Sequence, residues 1–347
     1  MAPVVRALCR SSWADARLLT TGQHKELLDA QLAFFGITPD RALDVMRPGQ
    51  GLAALTSALL PALDEALAAE RPDLVLAQGD TTTVLATALA CCYRRVPFGH
   101  VEAGLRTGDL CAPFPEEANR LVADRLAALY FAPTEQAADN LRREGITEQV
   151  FVTGNPVIDA LLWATERTGG DEAPDPGKRR VLVTTHRREN FGDGLAGILE
   201  AVRRLAARGD VELVLPVHPN PEVCDAVRRA LGDLDAVTLP DALDYRDMVR
   251  ELRRCHLVLT DSGGLQEEAP ALGRPVLVLR EVTERPEGVA AGTARLVGTE
   301  PEAIVTAVGE LLEDEAAYRA MSTASNPYGD GRAADRIAAH CRAFLDA

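Results

Sequence analysis

Aromatic residues make up only 4% of this 347-residue chain. The apolar fraction, 47%, is therefore mostly Ala, Leu and Val, which suits helices packed on a sheet. Positive charge is also short, with 37 Lys and Arg against 52 Asp and Glu, a formal charge of −15. That balance argues against nonspecific nucleic-acid binding, so no nucleic-acid partner is expected. It still allows an anion to be held in a local pocket. The seven cysteines (Cys9, Cys91, Cys92, Cys111, Cys224, Cys255 and Cys341) form no CxxC pair, and their number is odd. Thiols in a reducing cytoplasm are expected, rather than metal ligands or disulfides. No apolar run reaches the roughly 20 residues that cross a bilayer, and no secretory signal opens the chain. No membrane partner is expected.

What is present is an alternation of strand and helix signals along a length that suits two domains. ARLLTTG (16–22) reads as a strand, and KELLDAQLAFFG as a helix ending at Gly36. DLVLAQ (73–78) is a continuous apolar run, the mark of a strand buried on both faces. VPFGHV, LYFAPT and QVFVTG follow with helical stretches between them. TERTGGDEAPDPGK (165–178) breaks the pattern and reads as a linker. The alternation then restarts with RRVLVTT and runs through VELVLPV, HLVLTD and RPVLVLR. Two doubly wound parallel-sheet α/β domains are predicted: 1–164, a linker 165–178, and 179–325, with 326–347 a C-terminal helix returning to the first domain. Ligands in such sheets sit beyond the carboxyl ends of the strands.

The loops after strands carry the chemistry-bearing residues. In DLVLAQGDTTT, Gly79 gives a tight turn, and Asp80 is either a helix N-cap or a base at a strand end. In HVEAGLRTGDLCAPFPEEANR (100–120), Glu102 directly follows a buried strand and needs a partner or a function. Glu116 and Glu117 fall in the first turn of a helix opened by Pro115, where the helix dipole already favours acids. His186, beside Arg187 and Arg188 at the end of VLVTT, has the look of an anion site. His218 sits in a turn that its flanking prolines already explain. In HLVLTDSGGLQEEAP, Ser262, Gly263 and Gly264 turn sharply before a helix from Leu265 and form a phosphate cradle. Glu268, about one turn further, is placed to accept ribose hydroxyls. No GK[ST] follows this turn, and it is no GxGxxG dinucleotide fingerprint. Arg285 either meets a second phosphate or makes a surface ion pair. Acids in one domain and an anion site in the other fit a nucleotide-sugar enzyme working in an interdomain cleft.

The stretches GDTTT, GHVEAGLRTGD, PFPEEANR, TGNPVIDAL, THRREN, DSGGLQEEAP, TERPE and NPYGDG occur in order. With them the whole chain resembles the non-hydrolysing UDP-N-acetylglucosamine 2-epimerases of bacteria. The resemblance implies a glycosyltransferase-B type fold and interconversion of UDP-GlcNAc and UDP-ManNAc for cell-surface polysaccharides, with no metal or nicotinamide cofactor. It implies elimination of UDP to 2-acetamidoglucal and re-addition, in a cytoplasmic homodimer. By the same resemblance Asp80, Glu102 and Glu116 are the sugar-side acids, and His186 helps hold the diphosphate. Ser262, Gly263 and Gly264 cradle phosphate, Glu268 takes the ribose, and Arg285 the diphosphate or sugar. Leu243 and Met248 fall where the family lines its uracil pocket; an aromatic residue is common at the second position, and Met248 departs from that. TGQH (21–24) resembles the stretch that some members use to bind UDP-GlcNAc as an activator, with Gln23 and His24 as candidates beside Gln50 and His218. A strand-to-helix turn with a polar cap is the alternative there. A glycosyltransferase of the same fold, or an impaired nucleotide-sugar binder, are the competing functions.

The family opens with a strand and a G-T-R-P-E-x-I-K-M-A-P loop, and Met1-Ala2-Pro3 match the end of that loop. MAPVVRAL already reads as the helix that follows. The resemblance therefore implies that the first, central strand and the loop's Arg and Lys precede Met1. Expressed from Met1, the polypeptide is expected to be poorly soluble and inactive.

Overall fold

The computed structural model describes residues 1–22, 25–47, 49–169, 177–185, 192–217 and 220–347. They form two compact units, Met1–Ala160 with Tyr328–Ala347, and Leu161–Pro327.

Unit 1 begins with α1 (Ala2–Cys9), β1 (Leu19–Thr20), α2 (Lys25–Phe35), β2 (Arg41–Ala42), α3 (Leu52–Glu70), β3 (Val75–Gln78) and α4 (Thr82–Arg94). It continues with β4 (Phe98–Val101), α5 (Glu116–Leu126), β5 (Leu129–Ala132), α6 (Glu135–Arg143) and β6 (Val150–Val152). Helix α7 (Pro156–Thr165) carries the chain into unit 2. There follow β7 (Arg179–Thr184), α8 (Asp193–Ala206), β8 (Val211–Val214), α9 (Pro221–Leu231), β9 (Val237–Thr238), α10 (Tyr245–Arg254) and β10 (Leu257–Thr260). Unit 2 ends with α11 (Gly263–Ala271), β11 (Val276–Val278), α12 (Pro286–Ala290), β12 (Ala294–Leu296), α13 (Pro301–Glu313) and α14 (Glu315–Ser322), and α15 (Ala333–Leu345) lies in unit 1.

All described strand pairs are parallel, as the helix-connected pattern requires. In unit 1, β3-β4-β5-β6 make one sheet, and β1-β2 pair separately. The predicted strand 16–22 shrinks to Leu19–Thr20. Val4 and Ala7 of α1 and Ile337 and Cys341 of α15 pack on Val101, Leu129 and Phe131 of the sheet. The amides of Ala333 and Ala334 donate to the Asp159 carboxylate at 3.1 and 2.8 Å, which anchors α15. Helix α3 is 19 residues long and apolar enough to cross a membrane by length and composition. Here Leu55, Leu59 and Leu63 are buried instead, in a cluster with Ala86 and Ala90 of α4.

Unit 2 has a six-stranded sheet in the order β9-β8-β7-β10-β11-β12. Counted within the unit, that is 3-2-1-4-5-6, the doubly wound order whose direction of winding reverses between its first and fourth strands. The reversal falls between β7 and β10, and the crevice beyond those two strand ends is where such a sheet binds ligands. Both strands are buried through their last turns, with Val181, Val183, Leu257 and Leu259 inside the apolar core.

Candidate active site

Strands β3 and β4 lie in register with Gln78 opposite Val101, so the turns that follow them start side by side. Gly79 has φ +84, a conformation open to glycine at little cost. Glu102 has φ +70, which is rare for a residue with a side chain and marks a backbone held by its surroundings. Its amide donates to the Phe131 carbonyl at 3.0 Å. Its carboxylate accepts from Gln78 Nε2 at 3.2 Å. A Cβ built on Gly79 would stand 3.9 Å from Glu102 Oε2, so the Glu102 carboxylate lies against the turn that carries Asp80.

Asp80 is not the N-cap of α4; Thr81 takes that position. The Asp80 carboxylate instead accepts from Arg120 at 2.6 Å, and its carbonyl accepts from Asn119 Nδ2 at 2.8 Å. Both donors come from α5. Glu117, 1% exposed, accepts from the amides of Thr107 and Gly108 at 3.2 and 3.0 Å and lies 3.3 Å from the Arg120 guanidinium. One turn on, Asp124 holds His100 Nδ1 at 2.6 Å and Arg106 at 2.8 Å. Glu117, Arg120 and Asp124, spaced three and four apart, share one helix face that is buried and polar. The Glu116 side chain, half-buried, makes no hydrogen bond or ion pair among the described residues.

In unit 2 the Thr184 and Thr260 hydroxyls, paired across β7 and β10, are 2.6 Å apart. The Ser262 amide donates to Thr260 Oγ1 at 2.9 Å, which turns the chain into α11. Ser262 is the N-cap but makes no side-chain cap bond. The helix starts at Gly263, not at Leu265, so both glycines belong to its first turn. First-turn amides have no acceptor within their helix and carry the positive end of its dipole. A Cβ on Gly263 would fall 2.9 Å from Arg285 Nη1. Arg285 is not a surface residue: it is buried, donating from Nε to Glu267 at 2.7 Å and pairing with Glu284 at 3.0 Å, while Glu284 also holds Arg280 at 2.6 Å. Glu268, also buried, accepts from the Tyr245 hydroxyl at 3.0 Å. Burial, opposed by that bond and reinforced by Glu267, pushes its carboxyl up to about 8. Leu243 and Met248 flank Tyr245 at the start of α10, and both are half-buried.

Over residues 6–342 the chain matches the sequence profile of the family described as UDP-N-acetylglucosamine 2-epimerase. It belongs to that family. The UDP-N-acetylglucosamine 2-epimerase of Escherichia coli K12 is 50% identical, over 97% of this chain and 93% of that protein. The Neisseria meningitidis UDP-GlcNAc 2-epimerase, solved bound to UDP-GlcNAc, has a TM-score of 0.94 at 40% identity and covers 100% of this chain and 96% of its own. The Methanocaldococcus jannaschii UDP-GlcNAc 2-epimerase, solved with UDP-GlcNAc and UDP, has a TM-score of 0.85 at 30% identity, covering 100% and 96%. The chain thus has the glycosyltransferase-B type fold of these epimerases; the doubly wound order expected of both domains is seen in unit 2, whereas the described four-stranded sheet of unit 1 runs β3-β4-β5-β6 in simple succession.

In this epimerase chain the structure brings Asp80 and Glu102 together in unit 1, and Ser262, Gly263, Gly264, Glu268 and Arg285 together in unit 2. Gln50 folds onto its own turn, where its side-chain oxygen accepts from the Arg47 amide at 3.1 Å. Gln23, His24, His186 and His218 lie outside the described residues. Sequence reasoning assigned no role to Asn119, Arg120, Asp124, His100, Tyr245, Glu267 or Glu284. For the α5 residues a signal was available: three charged side chains at helical spacing just after the candidate acids. Such a stripe normally reads as a solvated face.

Proposed function

We propose that this chain interconverts UDP-N-acetylglucosamine and UDP-N-acetylmannosamine by eliminating UDP and adding it back through 2-acetamidoglucal. The observation that carries the reading is the pair of carboxylates, Asp80 and Glu102, held on adjoining strand ends of a family member. Inversion at C2 needs that proton removed as the C1–O bond to UDP breaks. UDP then returns to C1 while C2 is reprotonated on its other face. Groups that take and give protons on both faces are required, and Asp80, Glu102 and Glu116 supply them. A glycosyltransferase would leave these acids unexplained and would need an acceptor.

The departing UDP belongs to unit 2. The amides of Gly263 and Gly264 and the Ser262 hydroxyl take the diphosphate, where helix-end amides favour developing negative charge. Arg285 adds positive charge beneath that cradle, and His186 assists. Glu268, presented by Tyr245, accepts the ribose hydroxyls, and Leu243 and Met248 line the uracil. The setting that fits is the cytoplasm, in keeping with seven free thiols. A homodimer is expected, and light scattering measures it. UDP-GlcNAc as an activator at Gln23, His24, Gln50 and His218 predicts a lag with UDP-ManNAc alone that a little UDP-GlcNAc abolishes.

The test is incubation with UDP-GlcNAc alone in D2O. UDP-ManNAc should form without an acceptor, and both sugars should gain deuterium at C2. Turnover only in the presence of an acceptor, or inversion with the original hydrogen retained, would overturn the reading.

A further inference from the structure

We propose that His100 acts as a permanently protonated imidazolium that fixes the Gly79–Asp80 turn and so positions the carboxylate of Asp80. His100 sits on β4 and is fully buried. Its Nε2 lies 2.8 Å from the Gly79 carbonyl oxygen, which can only accept, so this nitrogen carries a hydrogen. Its Nδ1 lies 2.6 Å from Asp124 Oδ1. The other oxygen of Asp124 takes the Gly104 amide at 3.2 Å and the Arg106 guanidinium at 2.8 Å. Donors on every side keep Asp124 ionised, and an ionised carboxylate also only accepts. Nδ1 must therefore carry a hydrogen too. An imidazole with both nitrogens protonated is a cation.

The surroundings agree with that state. Burial by itself favours the neutral ring, but Asp124, the Gly79 carbonyl and nearby Glu102 outweigh it, and the pKa of His100 is raised. Asp124, also buried, is held below the usual carboxylate range by His100 and Arg106. The charged and titratable groups around the ring are Asp124 from α5, Glu102 and Arg106 from the loop after β4, and, beyond Asp124, Tyr130 from β5. Arg106 is itself paired with Glu144 at 2.7 Å. His100 thus adds one positive charge to a group of carboxylates.

The mechanical consequence follows from the peptide plane. The Gly79 carbonyl and the Asp80 amide belong to one rigid unit. His100 fixes it from one side, while Asn119 and Arg120 hold the far end of Asp80. All three restraints trace to α5, the first through Asp124. A neutral ring keeping its hydrogen on Nδ1 for Asp124 would aim the Nε2 lone pair at the carbonyl oxygen and release the turn. His100 is a positioning residue, touching the reaction only through Asp80.

The kinetic part rests on the epimerase reading; the protonation state does not, so failure of one is distinguishable from failure of the other. Long-range 1H–15N spectra, with His100 assigned by His100→Gln, should show two protonated ring nitrogens at pH 8. A neutral tautomer at that pH would overturn the proposal whatever the enzyme does. In turnover, His100→Gln should lower kcat about ten- to a hundredfold with KM within about threefold, the scale of a misplaced catalytic group. Asp124→Asn removes the carboxylate that keeps the ring charged. It should retain activity near pH 6 and lose it toward pH 8, unlike the parent. A pH profile unchanged in a folded Asp124→Asn protein would overturn the positioning role. If that variant does not fold, the parent spectra and His100→Gln still decide.

Discussion

After β3 the chain turns its carboxylate against Arg120 and its two carbonyls against His100 and Asn119, whereas after β10 it turns into the bare amides of a helix start. Both turns follow parallel strands, half-buried in β3 and fully buried in β10, and both carry glycine. They differ in what stands behind them. In unit 1 a buried polar helix face grips the turn. In unit 2 a net-neutral set of four buried charges, Arg280, Glu284, Arg285 and Glu267, lies under Gly263. A group that must exchange protons needs its carboxyl oriented and its charge balanced, and side chains do that. A site that holds an anion needs donors already aimed outward, and the helix backbone supplies them without side chains.

The sharpest way to break this contrast is Glu102→Gln. It should cut epimerisation about 10²–10⁴-fold and leave UDP affinity unchanged; loss of UDP binding, seen by calorimetry, would merge the two roles that the comparison separates. Next comes Gly263→Ala. Its methyl group would meet the Arg285 guanidinium and a Glu284 oxygen at 2.9–3.0 Å. UDP affinity should fall about tenfold and stability by about 1–3 kcal/mol, read by titration and thermal melting. Gly264→Ala meets nothing nearer than 3.8 Å and should change stability by no more than about 0.5 kcal/mol.

The pH dependence of ligand-free protein sharpens the unit 2 side. With its carboxyl raised from 4.5 to about 8, folded Glu268 keeps a proton that the unfolded chain releases. Stability should therefore fall as pH climbs from 4.5 toward 8, and Glu268→Gln should flatten that slope in thermal melts. A small effect is also expected away from both turns. Arg336→Ala removes the pair with Asp330 at 2.8 Å, but both side chains are about half exposed, so the cost should stay below about 1 kcal/mol.

Much of the site was legible because strand ends are legible. Continuous apolar runs such as DLVLAQ and HLVLT mark strands, and the residue after each run is by topology at a ligand-binding edge; the burial expected on both faces holds for β10 but not for β3, which ends its described sheet and is only half-buried. That reasoning reached Asp80, Glu102 and Ser262 directly. It misjudged the partners. Asp80 before threonines reads as a cap, yet Arg120, 40 residues away, takes its carboxylate. Arg285 in a charged loop reads as either an exposed pair or a phosphate ligand, yet Glu267 and Glu284 surround it inside the protein.

The sequence by itself determined the alternation of elements, the parallel sheets and the family, since these follow from local periodicity and from motifs contiguous in the chain. Only the tertiary structure decided which charges meet. Whether Glu117, Arg120 and Asp124 face water or protein depends on what lies across from α5, and no local pattern carries that information. The same holds for His100. Its chain neighbours name it a strand residue, and only Asp124 and the Gly79 carbonyl, brought to its two nitrogens from different elements, make it a cation. Burial multiplies the energy of each such meeting, because in a low-dielectric interior an unmatched charge is costly and a matched one is held firmly in place.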